Sequence, residues 1–200
     1  MGIFGIIMLA AIAILIVWGM SVYNRLIRIR NETKNAFAQI DVQLKRRYDL
    51  IPNLVEVAKK YVQHERETLE AVIAARNQAA KARDAVHGDP SAAGGIGKIA
   101  ALAAADGVLG SALGRLMAVV ESYPELKADQ NLRELAEELT STENRIGFAR
   151  QAYNDCVLEF NNKVQEVPDT FVARLFNFMP MEMLQSTESP EERKAVKVQF

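Results

Sequence analysis

The amino-terminal segment constrains this chain more than any other feature, because Met1–Asn24 contains no Lys, Arg, Asp, Glu or His. Within it, Ile3–Val22 reads IFGIIMLAAIAILIVWGMSV. At 1.5 Å per helical residue, these roughly 20 residues span about 30 Å, the thickness of the hydrocarbon core of a bilayer. Trp18 and Tyr23 lie toward the end of the run, where amphipathic rings favour the membrane–water interface. The sequence therefore predicts a transmembrane anchor over residues 1–23.

Two other interpretations of the apolar run are a cleaved signal peptide and a buried core helix. A signal peptide begins with basic residues and carries an apolar core of about 7–15 residues. Met1–Asn24 has no basic residue, and its apolar run is longer than that core. A spanning helix is therefore the preferred interpretation.

Basic residues after the run predict how the anchor is oriented. Arg25, Arg28, Arg30 and Lys34 follow the run, against Glu32 as the one acidic residue among them. Because positively charged flanks stay in the cytoplasm, we expect a single-pass protein with its N-terminus outside and its body in the cytoplasm. The residues expected to flank the anchor are Ile3, Trp18, Val22, Tyr23, Arg25 and Arg28.

Charge and side-chain composition argue against several classes of function. The 200 residues include 24 Lys and Arg and 25 Asp and Glu, so a field that attracts nucleic acid is not expected. One Cys and two His leave little for a disulfide framework, a zinc site or a histidine-based active site. We predict no catalytic, cofactor-binding or metal-ligating residue, and we expect no enzymatic activity.

Two short motifs resemble catalytic signatures but lack required residues. Gly94–Ile99 reads GGIGKI, where a phosphate-binding loop needs an earlier Gly and a Ser or Thr after the Lys. His64–Thr68 reads HERET, where a zinc protease motif needs a second His at the last position. We interpret the first as a linker and the second as a solvated helix face.

Helix-forming residues dominate the body, and no strand-like alternation persists, so we predict an all-α fold. Apolar spacing predicts helices over about 23–49, 53–86, 98–122 and 129–167. Pro52 marks either a kink or the start of a new helix. The prediction is an antiparallel four-helix bundle over residues 24–167, or three long helices with the first kinked at Pro52. Residues 168–200 are predicted to be a docking segment and polar tail.

The last long helix carries two apolar seams at coiled-coil spacing, the pattern of bundle packing. One seam is Leu132, Leu139, Ile146, Tyr153, Phe160 and Val167, and the other is Leu135, Thr142, Ala149, Cys156 and Lys163. This pattern predicts that Cys156 is a buried, inert thiol. The apolar segment that follows Pro168 is expected to dock on the bundle or on the membrane, and both alternatives stay open.

The third helix contains Gly110 and Gly114 at the spacing of a close helix–helix contact. Asp106 and Arg115 argue against a second membrane span there. Close packing inside the bundle is the preferred interpretation, and a self-association face that would make a homo-oligomer is left open.

A basic run at Lys45, Arg46 and Arg47 is the candidate partner-binding patch. Three consecutive helical side chains lie about 100° apart, so they cannot all face the core. An exposed guanidinium suits recognition of a partner's carboxylates. Pairing inside the bundle, with Asp49, Glu137 or Glu138, is the other interpretation.

Several stretches of the chain resemble the LemA family of bacterial membrane proteins. They are Tyr23-Asn24, Ile40–Glu65, Glu70–Arg76, Gly114–Ala128 and Ser141–Asp155. The resemblance implies a four-helix bundle behind an N-terminal helix in the bacterial inner membrane, with no catalytic residue or cofactor to carry over. Relatives are often encoded beside a TPM-domain membrane protein or an HtpX-type membrane protease. The chain departs from the family pattern at Val167-Pro168 and at its carboxyl end.

These features together predict a non-enzymatic scaffold or adaptor that binds the bilayer through its N-terminal helix and an unidentified protein through its bundle. The alternative is a regulator or accessory of a membrane protease in envelope stress.

Overall fold

A computed structural model describes residues 2–62, 64–86 and 95–184. Within these ranges the chain is helical and contains no strand, which confirms the all-α prediction. The elements are α1 (Ile3–Lys59), α2 (Arg66–Val86), α3 (Gly95–Ser122), α4 (Pro124–Ala128), α5 (Gln130–Gln165) and α6 (Asp169–Leu175).

The first helix is continuous from the apolar run to Lys59, a length of 57 residues. At 1.5 Å per residue it is about 85 Å long. The prediction of a second helix starting after Pro52 is wrong, because Pro52 lies inside α1 and the chain leaves the helix only after Lys59. The alternative of three long helices is wrong as well, because α2 begins at Arg66 as a separate element.

Pro52 is accommodated because a side chain replaces the hydrogen bond that it removes. Proline has no N–H, so the carbonyl of Tyr48, four residues earlier, loses its helical donor. Arg76 of α2 donates its Nε–H to that carbonyl oxygen at 3.0 Å. A backbone vacancy inside α1 therefore becomes a contact point between α1 and α2.

The four long helices form an antiparallel bundle in which α1 packs mainly against α5, and α2 against α3. Two contacts give the direction of the α1–α5 pair. The rings of Phe37 and Tyr153 lie 5.6 Å apart, and Arg46, further along α1, bonds to Glu138, which comes earlier in α5. The end of α5 therefore lies beside the start of the body.

The second helix also runs antiparallel to α1. Arg76, near the middle of α2, bonds to the carbonyl of Tyr48, whereas Arg83, near its end, pairs with Asp41 at 3.3 Å. Both α2 and α5 begin at the end of the bundle where α1 ends. The helix between them, α3, must therefore run in the same direction as α1. The bundle therefore alternates in direction from helix to helix.

The end of the bundle away from the apolar run is closed by the side chain of Asp129. Its Oδ1 accepts from the N–H of Leu132 at 3.0 Å, which caps α5. Its Oδ2 accepts from the hydroxyl of Tyr61 at 2.8 Å, just after α1 ends. These hydrogen bonds, the backbone one first, hold the pKa of the Asp129 carboxyl below its ordinary value. One carboxylate thus joins the end of α1 to the start of α5.

The core of α5 follows the first predicted seam as far as Phe160, whereas the second seam departs from the prediction from Val157 onward. Val157 and Val164 are buried where the sequence pattern places Cys156 and Lys163. A straight helix advances 3.6 residues per turn, so a seven-residue repeat drifts about 20° per heptad and the buried stripe moves on by one residue. Cys156 is half-buried, and burial raises the pKa of its thiol. The prediction that Cys156 is a buried residue of the seam is wrong, because its side chain is only partly buried. The prediction that Val167 is a core residue is also wrong, because its side chain is exposed.

The segment after α5 docks on the bundle through α6 and the chain that follows it. Val172 and Ala173 are buried, as are Met181 and Leu184 further on. Asn177 adopts a left-handed conformation (φ 55°), and the N–H of Phe178 bonds back to the carbonyl of Ala173 at 2.9 Å. This closing pattern ends α6 and reverses the chain.

Two asparagines of α5 hold the returning chain by its backbone. Asn161 accepts from the N–H of Met181 at 2.8 Å and donates to its carbonyl at 2.9 Å. Asn154 makes the same two bonds with Leu184, each at 2.8 Å. The docking segment therefore has a fixed register on the bundle.

The contact at Pro52 yields a prediction on stability. Arg76→Met should lower the free energy of unfolding by about 1.5–3 kcal/mol, because the buried Tyr48 carbonyl then has no donor. In a Pro52→Ala background, the backbone N–H restored at position 52 bonds to Tyr48, and the same change should cost about 1 kcal/mol less. Urea unfolding of the four proteins in detergent, followed by circular dichroism, measures the coupling. Equal costs in the two backgrounds would contradict this role for Arg76.

Candidate functional site

A cluster of four charged side chains lies where α1, α3 and α5 meet. Asp106 and Arg47 are 2% and 4% exposed. The Nη1 of Arg47 donates to Asp106 Oδ1 at 3.1 Å, and its Nη2 lies 2.9 Å from Oε2 of Glu143. Arg150 donates to the second oxygen of Asp106. We call these four residues the Asp106 cluster, and each of its two carboxylates is matched by a guanidinium.

Helical spacing explains why Arg47 faces inward. It follows Ile40 and Leu44 on the buried stripe of α1 and precedes Ile51, at intervals of three or four residues. Arg46 lies 100° further round, half-exposed, with its Nε 3.0 Å from Oε1 of Glu138. The basic run is therefore divided between core and surface.

The structure does not bring the three basic residues together as one patch. Arg47 is inside the Asp106 cluster, Arg46 lies at the surface in a pair with Glu138, and Lys45 is exposed. Pairing of Arg46 with Glu138 is one of the two interpretations drawn from the sequence. The partner of Arg47 was missed, although an isolated acidic residue in the apolar α3 is a signal that a buried cation must face it.

Both oxygens of Asp106 accept hydrogen bonds from guanidinium groups, one from α1 and one from α5. The Asp106 cluster therefore joins α3 to these two helices. The hydroxyl of Tyr48 is buried nearby and has no hydrogen-bond partner within the described ranges. Burial, and next the charge of Asp106, raise the pKa of Tyr48, so the phenol stays neutral at physiological pH. Across the part of the chain that the structure describes, no group of three His, Cys, Asp or Glu side chains could hold a metal ion.

A groove of about 950 Å³ opens between the last turns of α1 and the first turns of α2. We call it the distal groove. Its apolar lining includes Val55, Val62, Leu69 and Ile73. Charged residues of both signs also line it: Glu56, Lys59, Arg66 and Glu70. One wall of the distal groove is the part of α1 that continues past Pro52. The sequence suggested a break in the helix at Pro52, so the groove could not be predicted from it.

The anchor residues divide into an exposed part and a docked part. Ile3 and Trp18 are exposed, as are Arg25 and Arg28 just past the run. Val22 is buried and Tyr23 is half-buried against the ring of Phe176, whose centre lies 4.7 Å away. The apolar run of α1 is uncovered, as expected of a helix that sits in lipid.

Among the residues that the structure describes, two helices are long and apolar enough to cross a membrane, namely α1 and residues 97–122 of α3. The apolar window of α3 is partly buried in the bundle, and its Asp106 is paired with Arg47 and Arg150. We therefore assign membrane association to α1.

The two neighbouring arginines give a prediction with a built-in control. Arg47→Met should lower the free energy of unfolding by about 3 kcal/mol or more, because Asp106 keeps only one of its two cations in a buried site. Arg46→Met should cost less than about 1 kcal/mol, because its pair with Glu138 is largely solvent-exposed. Thermal unfolding of the two variants and the parent protein compares them. A similar loss for both would contradict the inward position of Arg47.

Comparison with known proteins places the chain in a family. The LemA family model matches residues 36–200. The chain is 29% identical over 178 residues to the magnetosome proteins MamQ 1 and MamQ 2 of Paramagnetospirillum magneticum, covering 82% of this chain and 64% of each relative. It is 27% identical to the magnetosome protein MamQ of Magnetospirillum gryphiswaldense, covering 80% of this chain and 63% of that relative. The chain thus spans a little under two thirds of the length of these relatives. On the family match it belongs to the LemA family, as a membrane-associated helical protein.

Proposed function

We propose that this protein is a non-enzymatic membrane-anchored scaffold that binds another protein through the distal groove. The observation that carries the proposal is the continuity of α1 from the apolar run to Lys59. From Val22 to Val55 is 33 residues, or about 50 Å along the helix axis. The groove is thereby held at a fixed height above the bilayer.

The chemistry of the distal groove fits an amphipathic helix of a partner protein. An apolar lining between two helices accepts an apolar stripe, and charged residues beside it set orientation and register. Glu56 and Lys59 come from one wall of the groove, and the other wall carries Arg66 and Glu70, which pair with each other at 2.6 Å. A helix with charges of both signs matches these walls. The identity of that partner decides between a general scaffold and the alternative of a regulator of a membrane protease.

Photo-crosslinking in intact cells tests the groove. A benzophenone amino acid in place of Glu56, which is exposed at the groove, should give a defined crosslinked protein, and the same substitution at Phe148 should not. Phe148 is exposed on α5 and does not line the groove, so it controls for random collisions. Mass spectrometry identifies the product, and a protease in it would favour the regulatory alternative. Equal crosslinking at both positions would remove the groove as the binding site.

The orientation of the protein is part of the proposal. The basic residues after the apolar run favour a cytoplasmic body, because positive flanks are retained on that side. In a Cys156→Ala background, Lys45→Cys should react with a membrane-impermeant maleimide only after the inner membrane is permeabilised. Gly2→Cys, on the other side of the anchor, should react once the reagent reaches the outer face. The reverse pattern would place the body outside.

A further inference from the structure

Large apolar side chains are concentrated on the outer surface of the segment from Val167 to Met179, which we call the C-terminal hairpin. The exposed members are Val167, Phe171, Leu175, Phe176 and Met179. Phe171 is 66% and Leu175 is 76% exposed. A cluster of this kind on a folded surface marks an interaction site.

The hairpin lies beside the point where α1 leaves its apolar run. Because α5 runs antiparallel to α1, its last residue, Gln165, comes down to the level of the first residues of the body. The ring of Tyr23 lies 4.7 Å from that of Phe176 and 5.8 Å from that of Phe178. Val22, the last residue of the run, is buried, whereas the large side chains before it are exposed. The hairpin is therefore at the membrane-proximal end of the bundle.

The exposed face is not an unfinished part of the bundle core. Val172 and Ala173 of α6 are already buried against the bundle, and Phe171 and Leu175 lie on the opposite side, four residues apart. The left-handed residue Asn177 turns the chain between Phe176 and Phe178, and the rings of both contact Tyr23. The inner face of the C-terminal hairpin therefore packs on the bundle, and its outer face is exposed.

The charges around the hairpin suit a lipid headgroup layer. Arg25, Arg28 and Arg174 are exposed at this end of the molecule. Among the acidic residues nearby, Glu166 is paired with Lys163 and Asp169 is half-buried. Arginine beside aromatic and aliphatic side chains is the composition of segments that lie at the boundary between headgroups and acyl chains.

We propose that the C-terminal hairpin lies in the bilayer interface beside the anchor and gives the protein a second contact with lipid. The lipid occupant is indicated by continuity with the exposed run of α1, because both surfaces meet at Tyr23. A second copy of the chain and a partner protein are the competing occupants. The proposal depends on the anchor and is independent of the distal groove.

Spin labelling of the full chain in nanodiscs of phosphatidylcholine and phosphatidylglycerol tests the proposal. In a Cys156→Ala background, nitroxides are attached at Phe171→Cys and, as control, at Phe148→Cys. Phe148 is similarly exposed, at 73%, but lies 17 residues before the end of α5, or about 25 Å further from the membrane. Power saturation compares collision with oxygen, which concentrates in lipid, and with a nickel chelate, which stays in water.

The ratio of oxygen to nickel accessibility should be several-fold higher at position 171 than at position 148. Equal, water-like ratios at both positions would overturn the proposal. Low accessibility to both reagents at 171, with dipolar broadening that disappears when labelled protein is diluted with unlabelled protein, would assign the surface to a second copy and would also overturn it.

A second variant separates lipid contact from a folding effect. With the label at Met179→Cys, the change Leu175→Glu should shift the reporter toward nickel accessibility and leave the melting temperature unchanged, because Leu175 is exposed. Leu158→Glu, on the exposed surface of α5, should leave the reporter unchanged. An unchanged ratio of oxygen to nickel accessibility at position 179 in the Leu175→Glu variant would contradict the proposal.

Discussion

The buried carboxylate of Asp106 is the constraint on which the arrangement of the bundle depends. An uncompensated charge in a helical core costs several kcal/mol, so α3 can dock only where both oxygens meet cations. Arg47 of α1 and Arg150 of α5 supply them. Apart from this residue, the middle of α3 is built of Ala, Gly, Leu, Val and a single Ser, whose small and similar side chains would allow other registers. We infer that the Asp106 cluster fixes the register of α1, α3 and α5 relative to one another. Apolar packing alone would define that register less sharply.

The contact at Pro52 follows the same physical logic on the backbone. The proline removes one donor from α1, and Arg76 of a different helix supplies the replacement. In both places a local rule is broken and a long side chain from a neighbouring helix compensates for it. The compensating residues are all arginines, whose guanidinium offers several donors in a fixed plane. The bundle is thus held at its crossing points by directional bonds as well as by apolar contact.

The sequence predicted those features that depend on local periodicity. The continuous apolar run, the helical spacing of apolar residues over 23–49 and the first seam of α5 as far as Phe160 are all local patterns, and the structure shows each of them. The end of α1 was missed because Pro52 is a local stop signal whose compensation by Arg76 is distant in sequence. The partner of Arg47 was missed for a related reason, since Asp106 lies 59 residues away in sequence. Cys156 was placed in the core because a strict heptad was extended over more turns than a straight helix sustains.

The unbroken passage of α1 from the apolar run into the bundle has a mechanical consequence. Tilting is one way in which a spanning helix longer than the local hydrocarbon thickness adjusts to it. Because α1 does not end at the membrane surface, any tilt is transmitted to the whole body as a rigid lever. A change of about 10° would carry a point some 50 Å along the axis sideways by about 9 Å. For an α1 that spans the bilayer, we infer that such a tilt would translate local bilayer thickness into a lateral displacement of the far end of the bundle.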